Sequence, residues 1–327
     1  VAEEPEQDRL ELLGQVAAWY YEDDLDQSEI ARRIGKSRSM VSRLLKEARD
    51  RGLVEIRVRF PLRTEESLEN RLVQAFGLSE ARVLAGSPQD HEAMLRRLGR
   101  LGARAMQARL HSTMEVAIGW GAALHHTVRA MPEMRLDDVM VVQAMGSVGD
   151  GDPNVDGADL ARTLASKLNG DFRSLAAPLI VDREEVAASL LSERTIATTM
   201  EVAMAAELAV IGIGSIDTSL SGLVRAGYFT DGHLGRLRSL GVVGDVMGYL
   251  VDAGGTVLDI SENRRVVALR PDRLAGTVIG VAGGAAKASA ILAALRGDYL
   301  DVLVTDRFAA ESVLGLHQQS ASDLVEV

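Results

Sequence analysis

Two hydrophobic periods divide the chain. In the first 60 residues the apolar positions follow a helical period: Val41, Leu44, Leu45 and Ala48 stand at i, i+3, i+4 and i+7, one buried stripe of a helix that Ser37 is placed to cap. At about 100° per residue, Arg38, Ser39, Ser42, Arg43 and Lys46 then gather on the opposite arc. A shorter helix begins after Asp26, with Glu29 placed for a capping box. It buries Ile30, Ala31 and Ile34, breaks at Gly35, and leaves Gln27, Ser28, Arg32, Arg33 and Lys36 on its surface. Residues 53–59 then alternate in the manner of a strand. The pattern predicts a winged helix-turn-helix over residues 1–60, with the second helix entering a groove and the first lying along phosphates.

Beyond Phe60 and Pro61 the pattern changes. A bridging helix with Leu68, Leu72, Val73 and Phe76 comes first, its apolar face suited to the second domain or to a partner subunit. Short aliphatic runs then alternate with helical stretches, at residues 81–84, 116–118, 139–142, 208–213, 277–281 and 302–304. Runs apolar at every position are strands buried on both faces. The fold class expected for residues 61–327 is therefore α/β, doubly wound, with a mainly parallel sheet between helices.

Charge sharpens the first domain. Residues 30–59 carry ten Lys and Arg against three Asp and Glu, in a chain whose formal net charge is -11. Residues 1–29 carry one Arg against ten acidic residues. A local basic surface meets DNA phosphates whatever the total charge, and an acidic remainder limits indiscriminate binding. The partner implied is double-stranded DNA.

Composition removes several chemistries. The chain has no cysteine, which excludes disulfides, thiolate metal sites and cysteine nucleophiles. His125 and His126 lack further ligands at useful spacing, so no metal is expected, and no cofactor either. The first residues are acidic and lack a signal pattern, and no apolar run approaches the roughly 20 residues of a membrane helix. The expectation is a cytoplasmic protein with no membrane partner.

Glycines cluster where the apolar runs end. Gly119, Trp120 and Gly121 precede a helix opening with Ala122 and Ala123; Met145 and Gly146 follow the third run; Gly212 and Gly214 close the fourth; Gly283 and Gly284 close the fifth. Open parallel sheets bind ligands outside the carboxyl ends of their strands, where glycine lets backbone amides approach. Lys287, about one turn into the helix after Gly284, adds a point charge suited to an anion. Gln143 offers an amide to hydroxyls, and Asp245, read as part of a glycine-flanked turn, offers a carboxylate. Asp306 is placed as a helix cap. These residues outline a site for a small sugar-like molecule.

Several of these segments together resemble one family. The stretch QSEIARRIGKSRSMVSRLLKEARDRGLVEI, the GWG loop at 119–121, GVVGDVMGYLVDAGG at 241–255, VAGGAAKASAILAALRG at 281–297 and LVTD at 303–306 are similar, in order and over nearly the whole chain, to the SorC family of bacterial transcriptional regulators. The resemblance implies a DNA-binding domain joined to an effector domain related to ribose-phosphate isomerases, and a tetramer built as a dimer of dimers. It also implies operator binding that responds to a sugar, polyol or sugar phosphate. Carried onto this chain, it puts an effector phosphate against residues 119–123 and Lys287, and the sugar hydroxyls against Gln143 and Asp245. One departure stands out: relatives that bind phosphorylated sugars often have hydroxyl residues after the GxG, where this chain has Ala122 and Ala123. The competing class is a sugar-phosphate isomerase-like enzyme, with Asp245 and Lys287 as acid and base. Nothing in the sequence resembles a nucleophile with its base.

Overall fold

A computed structural model describes residues 4–54, 62–86, 90–148 and 156–325. The chain forms two compact units, divided between Pro61 and Leu62.

Among the described residues, the first unit holds three helices, α1 (Glu4–Tyr21), α2 (Gln27–Ile34) and α3 (Arg38–Asp50). Asp26 accepts from the amides of Ser28 and Glu29, while Glu29 reaches back to the amide of Asp26, a complete capping box. Gly35 ends α2 in the left-handed region at φ 63°, and Ser37 Oγ accepts from Met40 N at 3.2 Å to open α3. Ile30, Val41, Leu44, Leu45 and Ala48 form the buried stripe that their spacing predicts. What it packs against is α1, through Leu13, Val16 and Ala17, a helix absent from the reading of residues 1–29 by charge alone. The Arg9 guanidinium bonds Glu47 at 2.5 Å and ties α1 to α3. The wing strand expected at residues 53–59 lies outside the described residues beyond Val54.

The second unit opens with α4 (Glu66–Phe76), which packs on β1 (Glu80–Leu84). Then follow α5 (His91–Gln107), β2 (Glu115–Ile118), α6 (Ala122–Ala130), β3 (Met140–Gln143), α7 (Gly157–Leu168), β4 (Asp171–Arg173), α8 (Glu184–Ser192), α9 (Arg194–Ala205) and β5 (Leu208–Ser215). The chain continues through α10 (Gly222–Arg225), α11 (Asp231–Ser239), β6 (Val242–Val246), β7 (Tyr249–Asp252), α12 (Ser261–Arg264), β8 (Thr277–Val281), α13 (Ala288–Arg296), β9 (Val302–Asp306) and α14 (Arg307–Val325). The main sheet runs β1-β9-β8-β5-β2-β3-β4, every pair parallel.

Alternate residues of each strand feed two cores. Val116 and Ile118, Leu208 and Val210, and Val302 and Val304 pack with α5, α6 and α7; Ala117, Ala209, Ile211 and Leu303 pack with α13 and α14 on the other face. This is why the strands read as unbroken apolar runs. β5 departs from expectation by continuing past Gly212: residues 213–215 pair antiparallel with β6, which pairs antiparallel with β7. Asp245 accordingly lies within strand β6, not in a turn. The glycine beside it serves packing, since a Cβ on Gly244 would stand 2.3 Å from Ala290 Cβ of α13. The reversal comes one step later, at Met247 and Gly248, with φ 53° and 83°, as a two-residue hairpin of the twisted kind requires.

A candidate effector cleft and a basic helix surface

β2 connects onward to β3 on one side, whereas β5 connects through its hairpin to β8 on the other, so the sheet reverses its winding between β2 and β5. A cleft of about 370 Å³ opens at the carboxyl ends of these two strands, the place where open α/β sheets bind ligands. Gly119, Trp120, Gly121, Ala122 and Ala123 line it from the β2 side, and Gly212, Ile213 and Gly214 from β5.

The loop after β2 aims α6 at this cleft. Gly121 sits at φ 124°, a conformation that glycine tolerates, and α6 begins with no side chain capping its first amides. The helix is held by close packing on α5: a Cβ on Gly99 would be 2.4 Å from the His126 carbonyl carbon, and one on Gly102 would be 2.8 Å from Thr127 Oγ1. Its positive end therefore faces a space that can hold an anion or a polar oxygen.

Asp245 and Lys287 line the same cleft, close enough for each charge to act on the other. Lys287 ends a short 3-10 turn, residues 285–287, at the mouth of α13, and its ammonium donates to the Ile213 carbonyl at 2.7 Å. Asp245 is 7% exposed, and burial pushes its carboxyl up to about 6, against the pull of the Lys287 charge and the Gly248 amide. Burial likewise lowers Lys287, opposed by Asp245. At the rim, Glu92 lines the cleft and bonds His126 Nε2 at 3.1 Å. Burial outweighs this carboxylate and lowers the His126 imidazole.

Four residues expected in the site stand outside the cleft lining. Gln143 is fully buried, with its Oε1 accepting from Leu175 N at 2.9 Å and its Nε2 3.3 Å from Ser147 Oγ. Its amide braces the β3 end, so no face is left for a ligand hydroxyl. Gly146 lies where a Cβ would be 2.5 Å from the Pro178 backbone, so this glycine permits a chain crossing. Gly283 and Gly284 turn away toward Asp306, whose carboxylate accepts from Gly284 N and, at 2.9 Å, from Phe308 N. Asp306 is thus both the cap of α14 and the anchor of the glycine turn.

Among the ionisable residues of the cleft, His91, Glu92 and Arg225 escaped the sequence reading. Arg225, from the four-residue helix α10, lines the same space. Nothing in its surroundings has a motif's spacing; its nearest signal is Gly222, against whose Cα the Trp120 indole rests, so that a Cβ there would be 2.8 Å from Trp120 Cη2.

On the first unit, Ser28, Arg32, Arg33, Lys36, Ser37, Arg38, Ser39, Ser42, Arg43 and Lys46 are all exposed, and Gln27 is half-buried. Ser37 Oγ is engaged in its cap and with Ser39 Oγ at 2.9 Å, while the Arg33 guanidinium lies 5.4 Å from the Trp19 ring centroid. Among the described residues, no cluster of three or more metal-ligating side chains occurs, and no helix is long and apolar enough to cross a membrane.

A three-helix unit with an exposed basic helix, followed by an α/β unit with a ligand-sized cleft at its switch point, defines a transcriptional regulator with an effector domain. The comparisons bear on the same point. Residues 61–315 match the family described as "Putative sugar-binding domain". The chain is 33% identical over 311 residues to the transcriptional regulator LsrR of Enterobacter sp. (strain 638), covering 94% of this chain and 93% of that protein. It is 30% identical over 312 residues to the deoxyribonucleoside regulator of Bacillus subtilis, covering 94% and 99%. The crystal structure of the full-length sorbitol operon regulator SorC from Klebsiella pneumoniae superposes with a TM-score of 0.69 at 29% identity, over 94% of this chain and 99% of that one. The chain belongs to the SorC family of bacterial transcriptional regulators.

Proposed function

We propose that the protein is a one-component regulator of carbohydrate catabolism in the cytoplasm, reading operator DNA with α3 and sensing a sugar, polyol or sugar phosphate in the cleft between β2 and β5. The observation that carries this reading is the convergence, in a family of regulators, of the Asp245 and Lys287 pair with the uncapped start of α6 in one ligand-sized space. Asp245 accepts from ligand hydroxyls; Lys287 and the first amides of α6 face negative or strongly polar groups. Relatives named for sorbitol and deoxyribonucleoside support an effector of the sugar class.

In the first unit, Arg38, Ser39, Ser42 and Arg43 reach base edges, and Arg32, Lys36 and Lys46 hold phosphates, with Arg33 shared between phosphate and Trp19. Paired half-sites require at least a dimer, and the family resemblance extends this to a tetramer. Light scattering with and without operator DNA tests the assembly, a monomer in both conditions contradicting it. The function is tested by a thermal-shift screen of sugars, polyols and their phosphates, followed by operator-binding assays with each hit. A ligand at 100 times its Kd adds about 2.7 kcal/mol of apparent stability. A hit that leaves operator affinity unchanged would remove the regulatory link.

A further inference from the structure

The cleft lining divides sharply by chemistry. Its ionisable side chains are His91, Glu92, Arg225, Asp245 and Lys287; among the described residues no Ser, Thr, Asn, Gln or Tyr joins them. The other lining positions are glycines and apolar side chains, Met145, Val148, Ile213, Leu220 and Met247 among them, together with Trp120. The Trp120 indole is therefore the one uncharged side chain of the lining with a conventional hydrogen-bond donor. It is half-buried, and among the described residues its N–H has no hydrogen-bond partner and keeps some accessible surface. A tryptophan in such a place ordinarily finds an acceptor for that proton.

The ring is seated between two elements. A Cβ on Gly212 of β5 would be 3.1 Å from the Trp120 carbonyl oxygen, and one on Gly222 of α10 would be 2.8 Å from Cη2 and 3.2 Å from Cζ3, so the tip of the indole abuts α10. That seat is anchored: Ser221, 1% exposed, caps α10 through Val224 N at 3.4 Å, and Leu223 is buried in the core. A flat ring held in this way offers contact area at little entropic cost. A furanose or pyranose has carbon-bound hydrogens over a face and hydroxyls around its edge, which suits a lining that is part apolar and part charged. An open-chain alditol has a hydroxyl on every carbon, and those left against apolar side chains exchange water for nothing.

We propose that Trp120 selects the closed-ring form of the effector: its indole stacks on the carbon-bound hydrogens of a furanose or pyranose ring and its N–H donates to an oxygen of that ring, so that the cleft takes a cyclic sugar in preference to an open-chain alditol. This rests on the cleft being the effector site. It concerns the sugar ring alone and holds whether or not the effector carries a charged group.

The test titrates the whole chain calorimetrically, as wild type, Trp120→Leu, Trp120→Phe and Asp245→Asn, with two matched pairs of probes: ribose against ribitol, and ribose 5-phosphate against ribitol 5-phosphate. Wild type should bind the ring member of at least one pair about tenfold or more tighter than its alditol. Trp120→Leu should weaken ring binding about ten- to a hundredfold and erase most of the preference, and Trp120→Phe, which keeps a stack and loses the N–H, about three- to tenfold. The chain has two tryptophans, so Trp19→Phe leaves Trp120 as the single reporter, whose emission should shift with the ring probe and not with the alditol. Should Trp120→Leu fail to fold, Trp120→Phe and the emission decide. Equal affinity for ring and alditol, no binding of any of the four probes, an unmoved Trp120 emission, or a preference unchanged by the Trp120 substitutions overturns the proposal. A probe weakened in Asp245→Asn but not in the Trp120 variants leaves the cleft in place and removes only the Trp120 role. A probe unaffected by any variant removes both.

Discussion

Gly214 and Asp245 face each other across the antiparallel pair of β5 and β6, and a Cβ on Gly214 would stand 1.8 Å from Asp245 Oδ1. The carboxylate occupies the space that a side chain at 214 would fill. Both Gly212 and Gly214 thus serve the wall of the cleft, the second by admitting the acid.

Gly214→Ala should therefore act on Asp245. The methyl group must displace the carboxylate or the β6 backbone, an overpacking that costs about 1–3 kcal/mol of stability. Effector affinity should fall at least about tenfold, because the hydroxyl acceptor is moved from its place. Chemical denaturation and calorimetry check both. Unchanged effector affinity in a destabilised Gly214→Ala protein would mean that Asp245 does not touch the ligand.

A second expectation follows from the buried acid. Its folded-state value of about 6 lies above the ordinary 3.8, so between these values the native state binds more protons than the unfolded chain. Stability contributed by this group is then lost as pH rises from 3.8 to about 6, with a total on the order of a few kcal/mol. Lys287, held below 10.5, acts with the opposite sign as pH rises toward that value. The difference in unfolding free energy between wild type and Asp245→Asn should decline with pH from 3.8 to about 6 and flatten above. Parallel stability curves for the two proteins would show that Asp245 titrates normally.

Much of this was legible in the sequence, for physical reasons that also explain the gaps. The parallel strands showed themselves because both faces are buried, as in Leu208, Ala209, Val210 and Ile211. β6 and β7 did not, because Gly241 and Gly244 suggested a turn around Asp245, whereas Gly244 serves close packing on α13 and the chain reverses only at Met247 and Gly248. α1 was hidden by its acidic surface, although Leu13, Val16 and Ala17 keep helical spacing. Gln143 was assigned to the ligand because an amide near a strand end suits hydroxyls; its bond to Leu175 N depends on a chain crossing that no local pattern reveals. Arg225 carried no motif, and only the fold brings it to the cleft.

On the DNA side, Arg38 and Arg43 are exposed on α3 opposite the stripe formed by Val41, Leu44 and Leu45. If each makes a bidentate base contact, Arg38→Ala or Arg43→Ala should lower discrimination between operator and random DNA by about 1–3 kcal/mol. Lys36→Ala should weaken binding to both DNAs alike and reduce the salt dependence by about one phosphate contact. Competition titrations at several salt concentrations measure this. Equal losses on operator and random DNA for an arginine variant would reassign that residue to the phosphates.

The Asp245 and Lys287 pair permits a sharper test through a double-mutant cycle. Lys287→Met removes a charge that acts on the buried carboxylate and the donor to the Ile213 carbonyl, and leaving such a buried group without its partner typically costs about 1–3 kcal/mol. Asp245 can limit that cost by taking up a proton, since its carboxyl already stands at about 6 with the lysine present. In the Lys287→Met background the acid should therefore titrate higher still. Asp245→Asn should then be nearly neutral or stabilising, because it removes a charge left without a partner. The cycle should give a coupling of about 0.5–3 kcal/mol at neutral pH that shrinks below pH 5, where Asp245 is protonated in every variant that retains it. Unfolding titrations of the four proteins at two pH values provide the measurement. Additive effects at both pH values would show that the two groups sit in one wall without acting on each other.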